Sequence, residues 1–325
     1  MDFVIWSFFR AIRSISAIRN MNHWKYILGV LSLAVSLVWL AVITGPDDKL
    51  HIIACDVGQG DAILIQMGTN QILIDGGPDN KVLNCLGSNM PFWDRKIELV
   101  VLTHGDADHV TGLVEVFERY DVDSLLVSEL RASTQVYQAL EKAVGGREVR
   151  ILRPAIGKEI RLGAIRLDML WPASPDGSQG GPVTQSAGNE GTQVLGSATT
   201  NKPLNDFSVV LALRYRDFDA LFTGDIGPKV SDQLAGALAL NRAPGSGSWE
   251  YLKVPHHGSK NGLTRELLTA IQPQIAVISA GKENRWGHPH QEVIELLGDQ
   301  VNQVLRTDLM GMVEVVTDGD KIWLK

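Results

Sequence analysis

The sequence has little cysteine, with only Cys55 and Cys85 among its 325 residues. The two do not form a C-x-x-C motif, so the sequence gives no sign of a cysteine-based zinc site. Cys55 lies in an apolar, strand-like pattern and is typical of a core residue. The sequence alone leaves open whether the two cysteines form a disulfide.

An excess of basic residues is also absent. Residues 46–325 hold 26 Lys and Arg against 36 Asp and Glu, a formal charge of −10. A domain this acidic lacks the electrostatic footprint of a general nucleic-acid binder. A nuclease is still compatible with this charge, because bound divalent metal ions would offset much of the local negative charge.

Charged residues are missing altogether from residues 26–44, an apolar run. As a helix the run would be about 28 Å long, enough to cross the hydrocarbon core of a membrane. A buried core helix would normally show a polar face, and this run has none. A cleaved signal peptide fits less well, because the preceding segment is long and no clean A-x-A site follows. We therefore expect an uncleaved transmembrane anchor.

The charges that flank this run predict its orientation. Basic residues precede it and acidic residues follow it, namely Arg10, Arg13, Arg19 and Lys25 before, and Asp47 and Asp48 after. By the positive-inside rule, residues 1–25 form a cytoplasmic segment, and the chain beyond the 45–49 linker is extracytoplasmic. We expect a single-pass protein of the cell membrane.

Residues 50–325 are expected to form one domain. The composition of the chain, 45% hydrophobic and 21% charged, argues against wholesale disorder. Residues 173–203 are the exception, since they are rich in Ser, Gly, Thr, Gln and Asn and predict a flexible surface insertion. Elsewhere, strand-like runs first meander and then alternate with helical patterns. This order favours an α/β class in which two mixed sheets face each other with helices outside.

The elements expected from these patterns are short. The strands are 50–54, 62–67, 71–74, 97–102, 123–127, short strands with Gly turns from 150 to 171, 207–215, 220–223, 251–254 and 275–279, followed by two or three closing strands between 303 and 324. The helices are expected around 110–120, 134–144, 230–240, 263–271 and 292–297.

Residues of metal-binding types fall where several of these strands end. They are Asp75, His104, Asp225, His256, His257 and His288. Because loops at strand exits converge on one edge of a core, we expect these side chains to share one site.

The densest of these segments is His104-Gly105-Asp106-Ala107-Asp108-His109. Residues two apart in an extended segment project to the same side, so His104 and Asp106 can share one ion. Asp108 and His109 come where the chain turns into the next helix and can face a second ion. Imidazole and carboxylate ligands suit Zn, Mn or Fe. A solvated, acidic helix N-terminus would explain one or two aspartates, but not the two flanking histidines.

The segment from Thr103 to His109 resembles the H-x-[HD]-x-D-H signature of the metallo-β-lactamase superfamily. Four further motifs resemble the extracellular hydrolase domain of the ComEC family of DNA-uptake competence proteins, namely Asp56-Val57-Gly58-Gln59-Gly60-Asp61, Leu221-Phe222-Thr223-Gly224-Asp225, Val254-Pro255-His256-His257-Gly258-Ser259 and Gly287-His288-Pro289. The resemblance spans about residue 50 to the C-terminus. It implies a four-layer αββα sandwich with a dinuclear metal site on one edge. Only one apolar span accompanies it here, where that family has many.

The resemblance also implies a set of metal ligands, which are His104, Asp106, Asp108, His109, Asp225, His257 and His288. Three of them, Asp106, Asp108 and Asp225, would be catalytic, with Asp225 bridging the two ions. Because side chains alternate along a strand, only one of His256 and His257 is expected to face the metals, and which one stays open.

Further residues are expected around these ligands. Asp75 would orient a ligand from behind, and Asp61 would approach the edge of the site. Lys253, Lys260 and Arg285 would contact phosphate, and Trp286 would stack a base. Each of these last four also fits an ordinary surface residue.

The expected cofactors are two divalent metal ions, Zn or Mn. Many superfamily members have a second histidine at the position of Asp106, and the oxygen ligand here should tolerate Mn²⁺ as well as Zn²⁺. A hydroxide that bridges the two ions would attack a phosphodiester, so DNA is the expected substrate. The alternatives are a hydrolase of another ester, lactone or thioester, and a non-catalytic, metal-bound partner of a membrane transport complex.

Overall fold

The structure is a computed structural model that describes residues 23–36, 38–39, 45–128, 130–172, 195, 203–241 and 249–325. Most of the expected cytoplasmic segment, the end of the expected anchor and nearly all of the expected insertion lie outside the described residues. The chain divides into two compact units, Met1–Pro46 and Asp47–Lys325.

In the first unit, residues 23–36 form helix α1, whose large apolar side chains are exposed. Within the described residues, no helix has both the length and the apolar character that a membrane crossing requires. The transmembrane anchor at residues 26–44 therefore stays a prediction.

The described part of the second unit is built from short strands and helices. The strands are β1 (Leu50–Ala54), β2 (Ile63–Met67), β3 (Asn70–Ile74), β4 (Lys96–Ile97), β5 (Leu99–Leu102), β6 (Asp121–Val122), β7 (Ser124–Val127), β8 (Arg150–Leu152), β9 (Glu159–Leu162), β10 (Ile165–Trp171), β11 (Val210–Tyr215), β12 (Phe218–Phe222), β13 (Tyr251–Lys253), β14 (Ile275–Ile278), β15 (Gln303–Arg306), β16 (Val313–Thr317) and β17 (Ile322–Leu324). The helices are α2 (Lys81–Asn89), α3 (Ala107–Arg119), α4 (Gln135–Gly145), α5 (Pro228–Asn241), α6 (Arg265–Ile271), α7 (Gln291–Gly298) and α8 (Thr307–Met310).

Two large sheets contain most of these strands. One has eight strands in the order β17-β16-β1-β2-β3-β5-β7-β8, and the other has seven in the order β15-β14-β13-β12-β11-β10-β9. Both are mixed: β3, β5, β7 and β8 run parallel in the first, as do β12 to β15 in the second. Since parallel neighbours end at the same edge of a sheet, the residues that follow β3, β5, β12, β13 and β14 can meet there.

The hydrophobic core has three layers. Between the sheets lie side chains from both, such as Ile52, Ile65, Val101, Leu213, Phe222 and Val277. The outer face of the eight-stranded sheet packs on α2, α3 and α4, and that of the seven-stranded sheet on α5, α6 and α7. The architecture is therefore an αββα sandwich, which confirms the expected α/β class.

Helix α2 is not predicted by the sequence pattern. The segment contains Asn, Gly and Ser, which are poor helix formers. It is nevertheless helical, and it buries Val82, Cys85 and Leu86. Tertiary burial thus outweighs the weak intrinsic propensity of the segment.

A disulfide joins Cys85 of α2 to Cys55, which directly follows β1. Both residues are buried. Cys55 is therefore a core residue, as expected, and is also part of a disulfide. The disulfide fixes α2 against the start of the Asp56–Asp61 segment. The structure thus answers the question, left open by the sequence, of whether Cys55 and Cys85 form a disulfide.

Candidate metal centre

The carboxylate of Asp75 lies behind the imidazole of His109, and both side chains are buried. Asp75 directly follows β3, and His109 lies in the first turn of α3. Nδ1 of His109 donates to Oδ2 of Asp75 at 2.8 Å. Asp75 also accepts from the backbone N–H and the hydroxyl of Thr103, at 2.8 and 2.6 Å. The carboxylate therefore fixes the ring of His109, with Nε2 on the far side.

Thr103 fixes the ring of His104 as well. Its hydroxyl donates its single proton to Asp75, so it can only accept from Nδ1 of His104, which lies 3.1 Å away. His104 follows β5 and is buried. Its Nε2 therefore carries no proton in the neutral ring.

His257 is positioned by the other sheet. It follows β13 in a short 3₁₀ turn, Pro255–Gly258, and is buried. Its Nδ1 donates to the carbonyl oxygen of Ser279 at 3.0 Å. Its Nε2 lies 3.3 Å from Oδ2 of Asp225 and 3.5 Å from Oδ2 of Asp108. The imidazole thus presents Nε2 to carboxylates from both halves of the molecule.

These histidines share one unusual feature. Within the described part of the chain, Nε2 of His104, of His109 and of His257 is buried without a hydrogen-bond partner, as is Oδ1 of Asp225. Buried polar atoms are normally paired, so four unpaired atoms in one pocket indicate a binding site for a ligand. All four are atoms that bind divalent metal ions.

Two groups of donors are spaced to hold an ion. In one, His104, His109 and Asp225 offer ligand atoms that lie within 4.8 Å of one another. Asp108, His109 and His257 form a second group by the same measure. His109 belongs to both, and Asp225 contacts it at 3.4 Å. The residues present therefore fit divalent cations.

Asp106 and Asp108 lie at the open side of this pocket. Asp106 is the residue before α3, and its Oδ2 is 3.5 Å from Nε2 of His104. Asp108 lies in the first turn of the helix, and its side chain is partly exposed. Carboxylates here are stabilised by the positive end of the helix dipole. The structure thus brings together six of the seven predicted ligands.

The charges in the pocket reinforce one another. Burial would raise the pKa of Asp225, but His257 and His109 outweigh it and hold that pKa well below its ordinary value. Burial would lower the pKa of His109 and of His257, but Asp225 and the neighbouring carboxylates raise both well above the ordinary value. The pKa of Asp108 falls to about 2 beside His109 and His257, although burial opposes this shift. Such a pocket stabilises positive charge strongly.

The structure places His256 and His257 differently. His256 is partly exposed, and its Nε2 lies 3.9 Å from Oδ2 of Asp225, farther than that of His257. Both residues have positive φ, 52° and 55°, because they form a turn. The alternation of side chains along a strand therefore does not apply to them, although it led to the expectation that only one faces the pocket.

His288, the seventh predicted ligand, lies at the rim. Its ring is 5.6 Å from that of His256 and 6.4 Å from that of His257, centroid to centroid. Its Nδ1 is 3.3 Å from Nε2 of Gln59. Burial and the neighbouring histidines lower its pKa to about 4, so its ring is neutral at pH 7. It is not part of either group of closely spaced donors described above, and its ligand role stays a prediction.

Glycine is required where the loops approach each other. A Cβ on Gly60 would lie 2.2 Å from the backbone oxygen of Asp108, and one on Gly76 would lie 2.5 Å from the backbone nitrogen of Leu113. Gly60 also has φ +143°, which L-residues rarely adopt. These glycines let the loops after β1 and β3 pack against the start of α3.

A groove of about 830 Å³ opens beside Asp106 and Asp108. Its wall includes an aromatic ring and side chains of both charge signs, namely Trp286, Lys81, Lys282, Arg285, Asp56, Asp79 and Glu283. The guanidinium of Arg285 lies 4.4 Å from the centroid of the Trp286 ring, which is 48% exposed. Lys260 is exposed, and its backbone N–H donates to Nδ1 of His290.

The prediction that Lys253 contacts phosphate from the surface is wrong. The residue is 1% exposed and forms an ion pair with Asp61, which is also buried. Its place on β13 explains the burial, because Tyr251 and Lys253 both point between the sheets. One signal of this burial is visible in the chain, because Lys253 lies inside the apolar run 251–254. Thr103 was not identified as a site residue either.

The fold and the donor set define a metal-dependent hydrolase architecture, and comparison with known proteins agrees. A family model described as the metallo-beta-lactamase superfamily matches residues 55–282. The chain belongs to this superfamily.

Its curated relatives include competence proteins, as the motifs predicted. ComE operon protein 3 of Bacillus subtilis (strain 168) is 28% identical over 284 residues, which cover 80% of this chain and 32% of that protein. Competence protein ComA of Neisseria gonorrhoeae is 24% identical over 276 residues, which cover 83% and 32%. The chain thus spans about a third of the length of the curated relatives it matches.

Among solved structures, the metallo-beta-lactamase fold protein YhfI from Bacillus subtilis is similar to this chain, with 11% identity and a TM-score of 0.46. The match covers 85% of this chain and 100% of that one.

Proposed function

We propose that the protein is a membrane-anchored, extracytoplasmic phosphodiesterase that uses two divalent metal ions, Zn or Mn. The observation that carries the proposal is the set of buried, unpaired Nε2 atoms of His104, His109 and His257 around Asp225. Each of these imidazoles has its Nδ1 hydrogen-bonded, which leaves Nε2 free for a ligand. The donor set favours metal binding over a purely structural polar network.

Two bound divalent ions would supply an acidified water molecule and neutralise the charge that develops on a phosphodiester. His104, Asp106 and Asp225 would hold one ion, and Asp108, His109 and His257 the other. Asp75 and Ser279 would keep the imidazoles oriented, as described above. Asp106 and Asp108 lie at the groove, so the substrate would enter on their side.

The case for a phosphodiester over a neutral ester rests on the three cationic residues and the aromatic ring in the groove. Lys81, Lys282 and Arg285 offer cationic contacts for phosphate, and Trp286 offers an exposed aromatic face for a base. Single-stranded DNA is therefore the substrate we propose. The similarity to a protein named for competence supports the same class.

The location rests on two independent features. The uncharged run at 26–44 with its flanking charges favours an anchor whose C-terminal side is extracytoplasmic. The Cys55–Cys85 disulfide also fits an oxidising compartment. A membrane transport complex is the partner class that we propose for such a domain.

The test uses the full chain purified in detergent. Metal content is measured after dialysis, and hydrolysis of bis-p-nitrophenyl phosphate and single-stranded DNA is measured with Mn²⁺ or Zn²⁺. We expect about two equivalents of metal and turnover of both substrates. Asp106→Ala and Asp225→Ala should abolish turnover, whereas Asp232→Ala, on the exposed surface of α5, should not.

The outcomes separate the alternatives. Bound metal with no turnover of any phosphodiester would contradict the proposal. Turnover of esters, lactones or thioesters would then identify another hydrolase, and its absence would favour a non-catalytic partner of a transport complex.

A further inference from the structure

Lys253 is a buried lysine beside the candidate metal centre. Its side chain is 1% exposed, and Asp61, the carboxylate that it contacts, is 2% exposed. An ammonium group is stable in such a place only when a carboxylate pairs with it. A cation so close to a site for divalent cations needs an explanation, because like charges repel.

The two oxygens of Asp61 have different neighbours, and only Oδ2 is in an ion pair with a lysine. Oδ2 contacts the ammonium group of Lys253, and Oδ1 lies 3.4 Å from Nδ1 of His257. Nδ1 of His257 thus faces two acceptors, this carboxylate and the carbonyl oxygen of Ser279. Both favour a proton on Nδ1 and leave Nε2 free to bind metal.

The same pair connects the two sheets. Asp61 lies between β1 and β2 of the eight-stranded sheet, and Lys253 ends β13 of the seven-stranded sheet. The backbone N–H of Asp61 donates to the carbonyl oxygen of Asp108 at 3.3 Å, and its carbonyl oxygen accepts from Gly77 at 2.8 Å. Asp61 therefore contacts both Asp108, in the first turn of α3, and His257, which follows a strand of the other sheet.

Asp61 is also close enough to compete for an ion. One of its oxygens lies within 4.8 Å of ligand atoms of both Asp225 and His257. The contact with Lys253 occupies the oxygen that His257 does not use. Lys253 thereby holds the carboxylate through Oδ2, with Oδ1 facing Nδ1 of His257.

We propose that Lys253 is a positioning residue for the metal centre, an inference that rests on the metal-dependent function proposed above. Its ammonium group fixes Asp61 behind His257 through Oδ2 and so aligns the ligands of the two sheets. Lys253 and Asp61 orient the ring of His257, as Thr103 and Asp75 orient the ring of His109.

The test compares metal affinity with folding stability in the full chain. Lys253→Met removes the ion pair that holds Oδ2 of Asp61, and we expect the affinity for Zn²⁺ or Mn²⁺ to fall about 10- to 100-fold. Affinity is measured on the metal-free protein by competition with a chromophoric chelator. The matched control, Lys229→Met on the exposed surface of α5, should bind metal as the unmodified chain does.

A second variant separates positioning from a simple structural ion pair. Lys253→Met combined with Asp61→Leu replaces the buried pair with apolar side chains, an exchange that proteins often tolerate without loss of stability. We expect this variant to fold, as judged by urea unfolding, and still to lose at least about tenfold in metal affinity.

Unchanged affinity in the double variant would overturn the inference, because the pair would then be structural only. If the unmodified chain binds no divalent metal, that result contradicts the proposed function itself, and with it the inference about Lys253. Weakened binding with normal folding supports both.

Discussion

Nδ1 of His109 donates to Oδ2 of Asp75 at 2.8 Å, and neither side chain is exposed to solvent. This contact determines which nitrogen of the ring is free. Because Asp75 can only accept when ionised, the proton lies on Nδ1, and Nε2 faces Asp225. Asp75 therefore orients the ring of His109 with Nε2 directed toward the other candidate ligands.

The first prediction concerns Asp75→Asn. The amide is neutral and offers one acceptor where the carboxylate offered two, so it cannot hold His109 and Thr103 as the carboxylate does. We expect the affinity for Zn²⁺ or Mn²⁺ to fall about 10- to 100-fold. Equilibrium dialysis with metal analysis measures this change. Asp320→Asn, at an exposed position, is the control, and equal affinity in both variants would show that Asp75 does not orient a ligand.

The second prediction is that metal binding releases protons. Carboxylates raise the pKa of His109 and of His257 well above the ordinary value, so both rings hold an extra proton in the metal-free protein. An ion must displace these protons, and its affinity should therefore fall as the pH falls and rise until the raised pKa values are passed. We expect metal binding near pH 7 to release protons from these rings.

Titration calorimetry in buffers of different ionisation enthalpy counts these protons. The same shifts predict the opposite trend for folding. In the metal-free protein, a raised histidine pKa contributes stability at low pH, and this contribution is lost as the pH rises through the raised value. Proton release that does not depend on metal, or a metal affinity that does not depend on pH, would contradict the assignment of both histidines.

Several parts of this site follow from the sequence alone. His104, Asp106, Asp108 and His109 are adjacent in the chain, and Asp225 and His257 each follow an apolar strand. The sandwich follows from the order of strands and helices. The local sequence pattern is enough to predict these residues, because parallel strands end at the same edge of a sheet and the residues that follow them lie close together.

Other parts depend on contacts that sequence spacing does not encode. Lys253 is 149 positions beyond His104 in the chain, and its burial depends on a partner in the other sheet. The two histidines at 256 and 257 occupy a turn with positive φ, so an argument from strand alternation could not choose between them. Helix α2 has weak propensity and is stabilised by burial, which a pattern search does not detect.

The third prediction concerns the disulfide. It closes a loop with a sequence separation of 30 residues, so its reduction should lower the free energy of unfolding by about 3–4 kcal/mol. Urea unfolding with and without reductant measures the difference. The double variant Cys55→Ala and Cys85→Ala should be less stable and should not respond to reductant. If the urea midpoint of the unmodified chain is the same with and without reductant, the disulfide does not form.

The fourth prediction compares two glycines. Gly60→Ala places a Cβ 2.2 Å from the backbone oxygen of Asp108 at a φ of +143°, so the loop and Asp108 must both move. We expect a loss of at least about 2 kcal/mol in unfolding free energy and weaker metal binding. Gly87→Ala, within α2 and with open space around it, should instead gain about 0.5–1 kcal/mol. Equal effects in the two variants would contradict the close approach of these loops.

The last prediction concerns Trp286, whose ring is 48% exposed in the groove with Arg285 over it. If a base stacks there, Trp286→Ala should raise KM for single-stranded DNA by about 5- to 100-fold, since one base stack contributes about 1–3 kcal/mol. An abasic phosphodiester has no ring to stack, so its kcat/KM should hardly change. Trp286→Phe keeps an aromatic face and should recover most of the DNA affinity, whereas Trp323→Ala, far along the chain on β17, should leave both substrates unaffected. A parallel loss on both substrates would mean that Trp286 supports the loop instead of binding a base.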